Sequence, residues 1–192
     1  QVIGRIFAVL LPCFSFAFGL WWDKQWGRSL KTQQRRAVQL RELLTQLGPA
    51  YIKIGQALST RPDLVPPGYL EELTQLQDQL PPFDNAIAYR FIQEELGQTP
   101  EEIYAELSPN PIAAASLGQV YKGKLKTGED VAVKVQRPDL RDRITIDLYI
   151  IRRLAAWANR TFTRIRSNLV DILDEFGYRI FEEMDYVQEG EN

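Results

Sequence analysis

The side chains of this sequence best suited to chemistry are one lysine and a group of carboxylates. Lys134 closes the run Val131-Ala132-Val133-Lys134, whose alternation predicts a half-buried strand. An ammonium group on such a strand can bind phosphate oxygens as a point charge. It needs an anionic partner, and the C-terminal segment offers Glu182, Glu183, Asp185, Glu189 and Glu191. The pattern therefore indicates the positioning of a phosphate-containing ligand.

Small residues precede this lysine at a spacing typical of a phosphate-binding loop. Val131–Lys134 matches the Val-Ala-Ile-Lys pattern of a kinase third strand, and Gly118-Gln119-Val120 matches the last Gly-x-Val of a kinase glycine loop. The two earlier glycine positions are then Ala113 and Ala115. Their Cβ atoms make left-handed backbone costly, so we expect a looser grip on phosphate than in a protein kinase.

Two strands and a turn must position these residues. Gln119–Leu125 and Val131–Val135 carry β-branched and aromatic residues, and the polar segment Lys126–Asp130 contains Gly128. This arrangement predicts a hairpin of two strands, to which a further short strand is added. Alanines are poor strand formers, so a close-approach role is favoured for Ala113, Ala114 and Ala115 over a place in a core strand.

Three motifs in one order give this sequence a family resemblance. They are Ala113-Ala114-Ala115-Ser116, Lys53-Ile54-Gly55-Gln56 upstream and Glu183-Met184-Asp185 downstream. Together they resemble the UbiB (ADCK-type, aarF-domain) family of atypical kinase-like proteins. The resemblance extends from about Arg36 to Asn192, and residues before it match only loosely.

The resemblance implies an α+β fold, a kinase-like N-lobe with a small antiparallel sheet and an αC-type helix. A helical extension carrying the Lys-x-Gly-Gln (KxGQ) motif would precede the lobe, and a helical insertion would follow the third strand. The predicted division is an apolar, basic-flanked membrane-associating segment over 1–30, the helical KxGQ extension over 31–108 and the kinase-like lobe over 109–192.

The resemblance also implies site residues and cofactors. The implied catalytic pair is Lys134 with Glu189, and the implied lid and regulatory residues are Lys53, Gly55 and Gln56 with Glu183 and Asp185. In the proteins that it resembles, the KxGQ segment folds across the cleft. ATP and Mg²⁺ are the implied cofactors, and the metal ligands are expected beyond residue 192, none within this chain. The implied nucleotide-binding residues are Ala113, Ala114, Ala115, Ser116, Gly118, Val120 and Lys134.

Helices are predicted around this lobe from apolar spacing and from capping residues. One covers 31–47 and ends at Gly48-Pro49, and a second starts at Pro49 and reaches Ser59. Asp84 is a predicted N-cap, and Thr99-Pro100-Glu101-Glu102 is a capping box that opens a short helix to Leu107. A long helix begins at Asp139 or Leu140, and the last runs from Asn168 to the end of the chain. On that last helix, Asp185 and Glu189 would share a face, about 40° apart, with Glu183 about 120° from Glu189.

The N-terminal segment from Ile6 to Trp22 contains no charged residue. As a helix it would measure roughly 26 Å, just short of a bilayer core of about 30 Å, and Pro12 and Gly19 interrupt its pattern. Residues 1–36 hold six basic residues and one acid, a net charge of +5 that suits anionic lipid. Three interpretations stay open: a helix packed on the domain, a membrane-interface or re-entrant segment, and a full span.

Composition excludes several other kinds of site. The chain has no histidine and a single cysteine, Cys13, so histidine-based zinc sites, Ser-His and Cys-His catalysis and a disulfide framework are excluded within it. Its net charge of −2 gives no case for nucleic acid as a partner. The lack of an initiator Met, and of a metal-binding Asp motif after Glu189, leads us to expect the front part of a larger protein.

Two functions are consistent with these features. In the first, the full-length protein is a Mg-ATP-binding ATPase or phosphotransferase that supports membrane isoprenoid-quinone or other lipid metabolism, as the resemblance implies. In the second, it is a pseudokinase-like regulator whose nucleotide lobe gates the binding of a lipid or partner protein. The implied partners are a nucleotide, a membrane lipid surface and an isoprenoid lipid. The implied location is a membrane facing the bacterial cytoplasm or the interior of a plastid or mitochondrion. Neither the substrate nor the oligomeric state follows from the sequence.

Overall fold

A computed structural model describes residues 2–26, 30–63, 65–76, 81–161 and 168–187. Within these ranges the chain forms two compact units, a helical unit of Gln1–Gly55 with Arg141–Asn192 and a sheet unit of Gln56–Leu140. The helices are α1 Val2–Trp26, α2 Leu30–Leu47, α3 Pro49–Ser59, α4 Pro67–Thr74, α5 Asn85–Leu96, α6 Pro100–Ile103, α7 Leu140–Thr161 and α8 Leu169–Glu183. The strands are β1 Tyr104–Leu107, β2 Ala113–Ala114, β3 Gly118–Leu125 and β4 Asp130–Gln136.

The sheet unit is organised around strand β3. Strand β4 pairs antiparallel with it from Gly118↔Gln136 to Lys124↔Asp130, so the predicted hairpin is confirmed. Strands β1 and β2 also pair antiparallel with β3, and they share its other edge because β4 occupies the first. The turn of the hairpin places Gly128 at φ 100°, a left-handed conformation that glycine adopts without steric cost.

One face of this sheet forms the core of the unit. Side chains alternate between the faces of a strand, and Tyr121 and Val135 are buried on the face that packs against α5. Helix α5 contributes Ala88 and Ile92 to the same cluster. The predicted N-cap Asp84 accepts a hydrogen bond from the amide of Ala86 at 2.8 Å, which starts α5 in the place that the capping pattern predicts.

Two predicted helices end earlier than the sequence indicates. The capping box is present, since Glu102 accepts a hydrogen bond from the amide of Thr99 at 2.8 Å, but α6 ends at Ile103. The prediction of helix to Leu107 is wrong because Tyr104–Leu107 form β1, whose pairing with β3 outweighs local propensity. The last helix starts at its predicted N-cap Asn168 but ends at Glu183.

In the helical unit, α1 packs along α2 and close to α7. It runs unbroken through Pro12 and Gly19, contrary to the interruption predicted there. Gly19 permits a close approach, since a Cβ at this position would lie 2.3 Å from the guanidinium of Arg36. Within the described residues, Ile3–Trp26 is the one stretch long and apolar enough to cross a membrane by length and composition.

The helical unit has its own apolar core, and its centre holds one ion pair. Fully or almost fully buried side chains come from five helices: Val9, Ala37, Ala50, Ile144 and Ile180. Asp147 of α7 is completely buried and accepts two hydrogen bonds from the guanidinium of Arg5, each at 2.7 Å. The small antiparallel sheet of one unit and the helices of both units confirm the predicted fold class, a kinase-like N-lobe with helical additions.

Candidate functional site

Three of the predicted nucleotide-binding residues lie in one row across the sheet. Ala113 of β2 is the register partner of Val120 of β3, and Val120 is the register partner of Lys134 of β4. Residues directly opposite each other in antiparallel strands present their side chains on the same face. Ala113, Val120 and Lys134 therefore share the face opposite the core.

This face is open in the sheet unit. Ala113 and Lys134 are exposed and Val120 is partly exposed, whereas the neighbours Gln119, Tyr121 and Val135 are buried on the other face. Lys122 and Lys124, also on the open face, add ammonium groups two and four residues along β3 from Val120. A surface with three ammonium groups and small neighbours suits an anionic ligand that must approach the backbone closely.

The alanine segment ends in a tight turn, which we call the alanine turn (residues 115–118). The amide of Ala115 donates to the carbonyl of Gly118 at 2.7 Å, and the amide of Ile112 donates to Val120 at 2.8 Å. Among the described non-glycine residues, only Asp139 has a positive φ, so Ala113 and Ala115 lack the left-handed backbone that makes an anion-binding nest. Ser116 is 2% exposed and Gly118 is buried, whereas Ala113 and Ala115 are the exposed members of the motif.

Arg137 holds this turn from the end of β4. Its Nε donates to the carbonyl of Ala115 at 3.1 Å, and its own amide donates to the carbonyl of Leu117 at 3.0 Å. Its Nη2 donates to the carbonyl of Pro81 at 2.8 Å, and the guanidinium lies 5.7 Å from the ring centre of Phe83. The sequence shows Arg137 only as the residue before Pro138 at a strand end. The sequence did not predict that Arg137 stabilises the alanine turn through these hydrogen bonds.

A buried glutamine anchors β3 behind the open face. Gln119 accepts a hydrogen bond from the amide of Phe83 at 3.0 Å and donates to its carbonyl at 3.3 Å. It also donates to the hydroxyl of Tyr121, which in turn donates to Asn85 at 2.7 Å. A polar residue at a core position of an alternating strand is the signal that could have predicted this network. The network fixes β3, and so the row containing Val120 and Lys134.

In the helical unit, two predicted lid residues are in contact. The Nζ of Lys53 in α3 forms an ion pair with Oε2 of Glu183 in α8. Glu183 is the last residue of α8, where the carbonyl dipoles of a helix already disfavour a negative charge. The ammonium of Lys53 thus compensates both the carboxylate and the helix end. Gly55, two residues along α3, is buried.

Three further predicted site residues are Gln56, Asp185 and Glu189. Gln56 donates to the carbonyl of Leu76 at 2.8 Å within the sheet unit, a bond that ties α3 to the end of α4. Asp185 lies beyond the end of α8 and is exposed, so its predicted place on that helix is wrong: Met184 caps the helix. Glu189, the predicted partner of Lys134, lies outside the described residues.

The described residues contain no group of three or more His, Cys, Asp or Glu that could hold a metal ion. A nucleotide fits the part of the open face around Ala113 and Lys134 better than a metal does, since the nearest charges there are the ammonium groups of Lys122 and Lys134. The exposed carboxylates of this face, Glu106 and Asp130, are the register partners of Lys124 at its other end. Lys134 would hold the phosphates of ATP, and the coordination of Mg²⁺ would need carboxylates from outside the described residues.

Comparisons with known proteins identify the family of the chain. The family model of the ABC1 atypical kinase-like domain matches residues 75–192. The chain is 45% identical over its whole length to the chloroplastic protein ACTIVITY OF BC1 COMPLEX KINASE 3 of Arabidopsis thaliana, of which it covers 27%. It is 41% identical, over 95% of its length, to the probable protein kinase UbiB of Azotobacter vinelandii, of which it covers 34%.

A solved structure, the complex of Rv3197 with erythromycin from Mycobacterium tuberculosis, matches 82% of the chain and 40% of that protein, with 29% identity and a TM-score of 0.49. The chain thus spans about a third of the length of these proteins. The resemblance predicted from the three motifs is confirmed, and the chain belongs to the ABC1 atypical kinase-like family.

Proposed function

We propose that the full-length protein is an atypical kinase or ATPase that binds Mg-ATP on the open face of the sheet and acts in membrane isoprenoid-quinone or lipid metabolism. The observation that carries this proposal is the row Ala113–Val120–Lys134. It brings an ammonium group, a β-branched side chain and a minimal side chain together on one exposed surface. In the kinase strand motif, too, a strand lysine binds phosphates beneath a loop of small residues.

Lys134, the alanines of the motif and the predicted lid residues have distinct tasks in this proposal. Lys134 supplies a positive charge to phosphate oxygens, and Glu189 is proposed to hold its ammonium in place. Ala113 and Ala115 allow close approach to the turn but restrict its backbone, so fewer amides converge on phosphate than in a glycine loop. When bound, Mg-ATP supplies the transferable phosphoryl group. We propose the Lys53–Glu183 pair as the anchor of a regulatory segment that is separate from phosphate binding.

The membrane and lipid part of the proposal has independent support. The relatives include chloroplastic proteins of Arabidopsis and a bacterial UbiB protein, which fits a location in a bacterium or a plastid. Helix α1 carries an exposed apolar surface, with Phe14, Trp22 and Trp26 among its exposed residues. A lipid surface is therefore the partner proposed beside the nucleotide.

Phosphate release and ATP-dependent thermal shift of the full-length protein test this function. Lys134→Ala and Glu189→Gln should each greatly reduce both signals, because each removes one half of the phosphate-positioning pair. Lys126→Ala is the matched control: it removes an exposed lysine from the turn of the same hairpin and should leave both unchanged. Wild-type signals in both site variants would refute the nucleotide site.

A second candidate function, a regulator that binds nucleotide without transferring phosphate, is favoured by the restrained alanine turn. It predicts a thermal shift with ATP that depends on Lys134, together with no phosphate release in the wild type. An enzyme shows both signals. The same pair of measurements therefore separates the two functions.

A further inference from the structure

Of the three charged residues of helix α1, Arg5 and Asp23 lie toward the protein and Lys24 is exposed, while the large apolar side chains face the outside. Arg5 pairs with the buried Asp147 of α7, and Asp23 pairs with Arg36 of α2 at 2.6 Å. Val9, also on this inner side, is almost completely buried. A helix on a water-facing surface has the reverse arrangement, with apolar residues inward and charges outward.

The outer side of α1 is a continuous apolar stripe, which we call the α1 stripe. Its members are 48% to 76% exposed, and their spacing of three and four residues places them on one side of the helix. From the first to the last the stripe measures roughly 35 Å, at about 1.5 Å per residue. The residues of the stripe are Ile3, Phe7, Leu11, Phe14, Phe18, Trp21, Trp22 and Trp26.

We propose that α1 lies in the plane of a membrane interface, with the α1 stripe inserted among lipid chains and the inner side still bound to the helical unit. This inference deepens the membrane association proposed above and does not depend on nucleotide chemistry. Of the three interpretations left open by the sequence, it combines the helix packed on the domain with the membrane-interface segment and rejects the full span. The helix is packed on its unit by one side and rests in the bilayer by the other.

A full span is incompatible with the contacts of the inner side. To cross a bilayer, α1 would have to leave α2 and α7, which carry many charged and polar residues. That would abandon Asp147 as an unpaired buried carboxylate and take Arg5 out of its pair into or across the hydrocarbon. An in-plane helix keeps both ion pairs intact.

The charges around the stripe favour lipid as its occupant. Lys24 of α1 and Lys31 and Arg35 of α2 are exposed, and such bases attract anionic headgroups. The rings of Phe18, Trp21, Trp22 and Trp26 form one continuous cluster with centre distances of 5.7 to 6.4 Å. Aromatic rings of this kind concentrate at the level of the headgroups.

The depth of the stripe in a bilayer tests the proposal. Full-length proteins with a single tryptophan, at Phe7→Trp, at Phe14→Trp or at the native Trp22, are bound to phosphatidylcholine vesicles containing phosphatidylglycerol. Quenching by lipids brominated at different chain positions then reports the depth of each ring. An in-plane helix predicts the same shallow depth at all three positions. A deep ring at position 14 with shallow rings at 7 and 22 would show a span and overturn the proposal while leaving membrane association intact.

Vesicle binding with matched variants separates lipid from other occupants. Phe14→Ser combined with Phe18→Ser should weaken partitioning by about tenfold or more, because two exposed apolar side chains are lost from the inserted side. Leu96→Ser, which removes an exposed leucine from α5, should change nothing, and phosphatidylcholine alone should bind less than the anionic mixture. The proposal would be overturned if brominated lipids failed to quench the tryptophans. It would also be overturned if the double variant left vesicle binding unchanged and only dissociated a dimer of two copies of the chain.

Discussion

The buried ion pair between Arg5 and Asp147 gives the sharpest stability prediction. Asp147 is completely buried, and Arg5 contacts both of its carboxylate oxygens at 2.7 Å. Arg5 also donates to the carbonyl of Leu47 at the end of α2. One guanidinium thus joins three helices, α1, α2 and α7. Replacing it with methionine leaves the carboxylate of Asp147 buried without a cation.

The expected cost follows from this geometry. Removing one partner of a buried ion pair destabilises a protein by about 3–5 kcal/mol, because the remaining charge stays desolvated. Replacing both partners with apolar residues is often nearly neutral. We therefore expect Arg5→Met to lower the free energy of unfolding by about 3–5 kcal/mol, and Arg5→Met with Asp147→Leu to recover most of that loss.

Urea denaturation of the full-length protein measures both effects as shifts in the midpoint at constant slope. The chain offers a matched control in Arg152→Gln, since Arg152 binds Asp174 through two hydrogen bonds of 2.7 and 3.0 Å. These side chains are 54% and 51% exposed. Arg152→Gln should therefore lower the free energy of unfolding by less than about 1 kcal/mol. Equal losses for Arg5→Met and Arg152→Gln, or a double variant no better than Arg5→Met, would refute the reasoning.

Three further predictions concern Tyr51, Ala115 and the pair Lys53–Glu183. The hydroxyl of Tyr51 is buried without a hydrogen-bond partner among the described residues, so Tyr51→Phe should raise the free energy of unfolding by about 1 kcal/mol. Burial, followed by the charge of Asp147, raises the pKa of Tyr51. Above about pH 10 the unfolded chain therefore loses the phenol proton more readily than the folded protein, and the wild type should lose stability. A pH series of melting temperatures should show a smaller loss in Tyr51→Phe. Ala115→Gly should raise nucleotide affinity by up to about tenfold in titrations while costing about 0.5–1 kcal/mol of stability; a stability loss without an affinity gain would place Ala115 outside the loop. In a double-mutant cycle of Lys53→Ala with Glu183→Ala, we expect a coupling energy of about 0.5–1 kcal/mol. If the stability losses of the two single variants simply add, the two side chains do not interact.

Local signals predicted most of the elements of this fold. Asp84 and the Thr99–Glu102 box start their helices where their capping chemistry indicates, because a cap needs only residues a few positions away. The hairpin of β3 and β4 is likewise a contact between neighbours in sequence, joined by the turn at Gly128. Such short-range features need no knowledge of the rest of the chain.

The features that the sequence did not predict depend on distant partners. Tyr104–Leu107 become a strand because β3, some twenty residues later, offers an edge for pairing. The orientation of α1 depends on Arg5 meeting Asp147, and nothing near Arg5 indicates this. Arg137 clamps Ala115 and Pro81, contacts that its position before Pro138 does not reveal.

The candidate site shows the same division. The motif residues Ala113, Val120 and Lys134 could be chosen from their spacing, and the sheet register brings them into one row. Ser116 could not be judged from its motif alone, because its burial follows from the tight alanine turn. The proposed pairing of Lys134 with Glu189 stays a prediction.

Hydrogen exchange of the full-length protein with and without saturating Mg-ATP tests the central claim most directly, since it locates the nucleotide as well as detecting it. The proposed site predicts added protection in peptides covering residues 113–120 and 131–137, and little change in the hairpin turn at 126–129. The protection should disappear in Lys134→Ala at the same nucleotide concentration. Saturated binding of ATP with no added protection in 113–120 and 131–137 would contradict a nucleotide site on the open face of this sheet.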